Sequence, residues 1–109
     1  MKLFAVITLS LFTITSFASN YECKSESTSN TYEVNEKHGE IRGYDSKGEI
    51  FLDLDGLRTD VMIYETYPSI REASFIDEDN QIVATLSNRS GEEVSILDID
   101  GDKAVCVDK

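Results

Sequence analysis

The chain has no tryptophan, only one proline and one histidine, and about half as many basic as acidic residues. Without tryptophan it lacks the ring that sugar-binding clefts commonly use for stacking, which weighs against a glycosidase. The single histidine, His38, stands in a turn beside Gly39, with no serine or cysteine nucleophile in a recognisable motif. We therefore predict that the protein is not an enzyme, with no catalytic residue, no metal ligand and no cofactor.

The scarcity of positive charge also limits the choice of partners. The chain carries 10 Lys and Arg against 21 Asp and Glu, a net charge of −11. Without residues 1–18, which contain Lys2 as their only charged side chain, nine basic residues face 21 acidic ones and the net charge is −12. Nucleic acids and anionic lipids require a basic face, so neither is expected as a partner. The charge permits attraction to a basic protein, and solubility alone is the favoured explanation of it.

The first 18 residues have the features of a secretory signal peptide. Lys2 supplies a positive charge, an uncharged apolar run extends from Leu3 to Phe17, and Ser16 and Ala18 are small residues suited to a cleavage site. We expect cleavage near Ala18, a mature chain of residues 19–109 that forms one domain, no membrane span in that chain, and a secreted or periplasmic location.

Only two cysteines are present, Cys23 near the start of the expected mature chain and Cys106 near its end. Secreted chains occupy compartments where thiols oxidise, so we predict a disulfide between them. Closing so long a loop should stabilise the fold by about 4–5 kcal/mol in the chain-entropy model.

The mature chain reads as short strands separated by turns. The strongest signal is Asp100-Gly101 between two apolar-rich runs, because this pair suits the tight turn of a hairpin. Turns recur roughly every 8–12 residues, which predicts an all-β fold of about eight antiparallel strands, an up-and-down barrel or a sandwich. In the run before that turn, apolar residues fall on both faces, which indicates either a bulge or burial on both sides.

Two groups of side chains are candidates for binding a partner. Asp98, Asp100 and Asp102 resemble the start of a calcium loop, but Gly101 falls at the fourth position instead of the sixth, so a hairpin turn explains them better. Tyr64 and Tyr67 form the best candidate for a recognition surface, since tyrosine is enriched at interfaces. The favoured interpretation of this pair is nevertheless structural, with Tyr64 in the core and Tyr67 packed at a strand end.

The arrangement of Tyr21, Cys23 and Cys106 around a meander of short strands resembles the bacterial c-type lysozyme inhibitors of the MliC type. The resemblance implies a small periplasmic eight-stranded barrel with its ends joined by a disulfide. The Ser-Gly-x-x-Tyr and Trp-x-x-Lys-Gly segments of that family are missing here, so its inhibitory residues have no counterpart in this chain.

The sequence therefore favours a secreted or periplasmic binding or inhibitor module, directed against a basic protein. The alternative is an envelope-associated structural β-domain with no discrete ligand. A compact exposed apolar patch would favour the binder, whereas a uniformly charged surface would favour the structural domain. An internal cavity lined by tyrosine or phenylalanine would favour a carrier of small molecules.

Overall fold

A computed structural model describes residues 20–109, and the predicted signal peptide lies outside these described residues. The described chain is all-β, with nine strands instead of the eight suggested by the sequence. The strands are β1 (Asn20–Ser25), β2 (Thr31–Asn35), β3 (Glu40–Tyr44), β4 (Ile50–Leu54), β5 (Arg58–Tyr64), β6 (Ile70–Ile76), β7 (Ile82–Arg89), β8 (Ser95–Ile99) and β9 (Asp102–Asp108).

The strands form one antiparallel sheet, curled into a half-barrel, in the order β4-β3-β2-β1-β9-β8-β7-β6-β5. The first and last strands are therefore neighbours at the middle of the sheet. Cys23 lies directly opposite Cys106 in the β1–β9 register, and the two form the predicted disulfide. Such a bond is typical of an oxidising compartment outside the cytoplasm.

The alternation of apolar residues determines which face of the sheet is buried. The concave face holds the core, which consists of Tyr21, Cys23, Tyr32, Val34, Ile41, Ala73, Phe75, Ala84, Leu86, Leu97, Ile99, Ala104 and Cys106. The predicted hairpin at Asp100-Gly101 is confirmed, because both residues have positive φ angles, 51° and 79°, as a type I′ turn requires.

Strand β8 departs from both interpretations of its mixed pattern. Its register with β7 and β9 contains no bulge, and only one face, with Leu97 and Ile99, is buried. Val94 precedes the strand, and Ile96 points away from the core and stays partly exposed. The apolar residues on the second face are therefore surface residues, and the strand is covered on one side only.

Strands β4 and β5 are the two edges of the sheet, although only three residues join them in sequence. Each strand is antiparallel to its neighbours, and eight such pairings separate β4 from β5 across the sheet. The two strands therefore run in the same direction in the sheet and cannot form a hairpin. The Leu57 N–H donates a hydrogen bond of 3.0 Å to the Gly39 carbonyl, which fixes this passage against the β2–β3 turn. Gly39 has a φ of 67°, and a Cβ there would collide with the Leu57 carbonyl. The chain thus crosses from one edge of the sheet to the other at a position where only glycine fits.

An ion pair joins the β2–β3 turn to strand β6. The Arg71 guanidinium donates to both carboxylate oxygens of Glu36, at 3.0 and 2.6 Å. Both side chains are largely buried, and the hydrogen bond to Glu36 raises the pKa of Arg71. This bidentate contact connects parts of the curled sheet that are not neighbours in the strand order.

Candidate functional site

Strand β5 provides the most unusual surface of the described chain. One side pairs with β6 from Arg58↔Ile76 to Tyr64↔Ile70, whereas the other side has no strand partner within residues 20–109. Natural edge strands usually carry lysine, proline or a bulge that prevents further pairing. The second half of β5, Val61 to Tyr64, contains none of these, so the backbone groups on its outer side, which have no strand partner among the described residues, remain available to another strand.

Apolar side chains cover both faces of this edge. Val61 and Ile63 point to one face, and Met62 and Tyr64 point to the other. Met62 and Ile63 are 57% and 60% exposed, and Tyr67, in the turn after β5, is fully exposed. We refer to Val61, Met62, Ile63, Tyr64 and Tyr67 as the β5 surface. Tyr64 is 43% exposed and therefore lies outside the core, and Tyr67 projects into solvent beyond the end of the strand.

Charged groups flank the β5 surface. The Tyr64 hydroxyl donates a hydrogen bond of 3.2 Å to Glu72, whose negative charge raises the pKa of that tyrosine. Asp60 lies 3.7 Å from Arg58 in an exposed ion pair, and Glu65 is exposed just beyond the end of the strand. The edge therefore has an uncharged apolar segment, with the carboxylates of Asp60, Glu65 and Glu72 and the guanidinium of Arg58 around it.

The acidic hairpin turn lies at the opposite end of the sheet, and its three carboxylates occupy different environments. Asp98 and Asp100 are exposed, whereas Asp102 is partly buried. One oxygen of Asp102 accepts hydrogen bonds from Ser25 at 2.7 Å and Ser27 at 3.3 Å, and the other accepts one from Tyr32 at 2.7 Å. Asp102 therefore joins the start of β9 to the β1–β2 loop and to β2.

These hydrogen bonds alter the acidity of both partners. Hydroxyl donors, Ser25 first and Tyr32 second, stabilise the ionised carboxylate and lower the pKa of Asp102. Burial, followed by the hydrogen bond to Asp102, raises the pKa of Tyr32 to about 12. At neutral pH the Asp102–Tyr32 pair is therefore a carboxylate and a neutral phenol, with its charge held in place by three hydroxyl groups.

A groove of about 750 Å³ opens beside this pair, between edge strand β4 and the start of β7. Its apolar lining consists of Tyr32, Phe51, Leu52, Leu54, Ile82, Val83 and Ile99. The rings of Tyr32 and Phe51 meet edge to face with their centroids 6.0 Å apart. The β3–β4 pairing shifts register at Gly43 and leaves Phe51 without a partner on β3. The ring of Phe51 then packs against Gly43, where a Cβ would leave no room for it.

The structure separates the predicted binding residues into two locations. Tyr64 and Tyr67 belong to the β5 surface, whereas Asp100 and Asp102 line the groove at the other end of the sheet. Asp98 points to the outer face of β8 and does not line the groove. Sequence reasoning missed Phe51 as a groove residue. The available signal was Gly43, since glycine inside a strand often marks a bulge or a close approach.

No protein-family model, curated protein or solved structure matches this chain. Among residues 20–109, no helix is long and apolar enough to span a membrane. The same residues contain no group of three or more His, Cys, Asp or Glu side chains placed to hold a metal ion.

Proposed function

We propose that the protein is a small acidic binding module, secreted or periplasmic, that captures a basic protein through the β5 surface, with inhibition of that partner as a direct consequence. The observation that carries this proposal is the uninterrupted exposed apolar run from Val61 to Tyr64 on an unpaired edge strand. A passive envelope domain has no need of such an edge, which is prone to aggregation in the absence of a partner.

The mode of capture that fits this edge is addition of a strand from the partner. An extended segment can hydrogen-bond to the free side of β5, while its alternate side chains contact the two faces of the edge. Val61 and Ile63 would contact one set of these side chains, and Met62 and Tyr64 the other. Basic residues beside the added strand would meet Glu65, and would meet Asp60 in exchange for its ion pair with Arg58, which supports a basic partner.

The test is capture of partners by the mature, oxidised protein from periplasmic and secreted proteins, at low and at moderate salt. We expect a complex with a basic protein that weakens as salt screens the attraction. Ile63→Lys should weaken it about tenfold or more, because it places a charge in the apolar centre of the edge. The matched control is Val107→Lys, since Val107 is also half exposed but lies on central strand β9.

The salt dependence also distinguishes binding of a basic protein from self-association of the protein along β5. Two copies with a net charge of −12 repel each other, so pairing of the protein with itself should strengthen with salt. Failure to retain a basic protein at low salt, or equal loss of binding in the two lysine variants, would contradict the proposal.

A further inference from the structure

The groove beside Asp102 has the size and lining of a small-molecule site. Its volume of about 750 Å³ lies within the usual range for ligand pockets, which are mostly apolar with a few placed polar groups. The β5 surface does not contribute to this lining, so the groove is independent of the function proposed above.

The charges in the groove have one sign. Among residues 20–109, Asp100 and Asp102 are the only charged residues that line it, and none of the lysines or arginines of that range does. Among the ion pairs of the described residues, none includes either carboxylate. A cation entering the groove would therefore meet negative charge that no basic side chain already neutralises, whereas an anion would be repelled.

The walls of the groove are held in place before any ligand arrives. Three hydroxyl groups fix the carboxylate of Asp102, and contacts with Gly43 and Tyr32 position the ring of Phe51. Preorganised groups lose little conformational freedom on binding, which favours affinity. At the rim, Phe51 is 49% exposed and Ile82 is 63% exposed, so apolar area remains for a ligand to cover.

We propose that this groove binds a small organic cation, an ammonium group carrying an apolar chain or ring. The apolar part lies against Phe51, Leu54 and Val83, and the ammonium group lies at the Asp100–Asp102 end.

The test uses the mature chain, which contains all nine strands, and three probes with the same alkyl chain below their micellar concentrations. These are octyltrimethylammonium, octyl glucoside and octyl sulfate, each titrated while backbone amide shifts are followed by NMR. We expect the cation to produce saturable shifts at Phe51, Val83 and Gly101, the glucoside to bind more weakly there, and the sulfate to leave these amides unchanged.

Matched variants separate a groove from general attraction to an acidic protein. Asp100→Asn removes one charge and should weaken binding of the cation about three- to fivefold. Residue 100 has a φ of 51°, which asparagine adopts readily, so this substitution preserves the turn. Glu93→Gln removes one exposed charge at the other end of the sheet and should change the affinity by less than about twofold.

A second pair of variants tests the apolar wall. Phe51→Ala should weaken binding, whereas Val107→Ala, at a similarly exposed apolar residue of β9 that does not line the groove, should not. The proposal is overturned if Glu93→Gln weakens binding as much as Asp100→Asn, if octyl glucoside binds as tightly as the cation, or if the saturable shifts lie outside the groove.

Discussion

At the scale of single residues, Asp102 contributes more to the stability of the fold than its place in an acidic turn implies. Its neighbours Asp98 and Asp100 are exposed, but its own two oxygens accept three hydrogen bonds from β1, the following loop and β2. A carboxylate can accept about four hydrogen bonds, so this side chain can satisfy several donors at once. Asp102 therefore connects the closing hairpin to the beginning of the fold.

The lowered pKa of Asp102 predicts sensitivity to acid. The folded-state pKa lies below the ordinary value of 3.8, so this stabilisation is complete above that value and is lost as pH falls through the folded-state pKa. Asp102→Asn should cost roughly 1–2 kcal/mol at pH 7, and it should make stability less dependent on pH below about 4. Urea unfolding between pH 2 and 7 measures both effects, with Asp98→Asn as an exposed control. Equal effects of the two variants would contradict this role.

At the scale of elements, the passage from β4 to β5 determines the shape of the sheet. A three-residue link between strands ordinarily suggests a hairpin, yet these strands run in the same direction at opposite edges. The hydrogen bond from Leu57 to Gly39 holds the link across the end of the half-barrel. The two unpaired edges, and with them the β5 surface and the groove, follow from this crossing.

Gly39→Ala should disrupt this crossing. The new Cβ would collide with the Leu57 carbonyl, and the alanine would have to adopt the strained φ of 67°. We therefore expect a loss of about 3 kcal/mol in the free energy of unfolding. Gly48→Ala is the matched control, because Gly48 has a φ of 81° but no atom within 4 Å of its Cβ position. Its cost should be about 1–2 kcal/mol, the backbone strain alone. Denaturant unfolding of both variants measures the difference, and equal losses would exclude the steric explanation.

At the scale of the whole molecule, the disulfide and the central β1–β9 pairing bring the two ends of the described chain together. Cys23 and Cys106 are 83 residues apart in sequence and fully buried. The bond therefore closes a loop that contains nearly the entire sheet, and this constraint limits the unfolded chain more than it alters the native one.

The double variant Cys23→Ala/Cys106→Ala should lose about 4 kcal/mol of stability, since the loop it opens is long. Denaturant unfolding of this variant and of the oxidised protein measures the change. The parent protein with its disulfide reduced should resemble the variant. A loss below about 1 kcal/mol would show that β1 and β9 remain close together in the unfolded chain without the bond.

The sequence by itself determined the all-β class, the hairpin at Asp100-Gly101 and the Cys23–Cys106 pairing, because these depend on local turn chemistry, alternation and the number of cysteines. Alternation shows which side chains share a face, but it does not show whether another strand covers that face or edge. The exposure of Val61 to Tyr64 and the groove under Phe51 were therefore decided only by the tertiary structure. Both depend on where β4 and β5 lie in the sheet, and a contact between residues distant in sequence, such as Gly39 with Leu57, determines that placement.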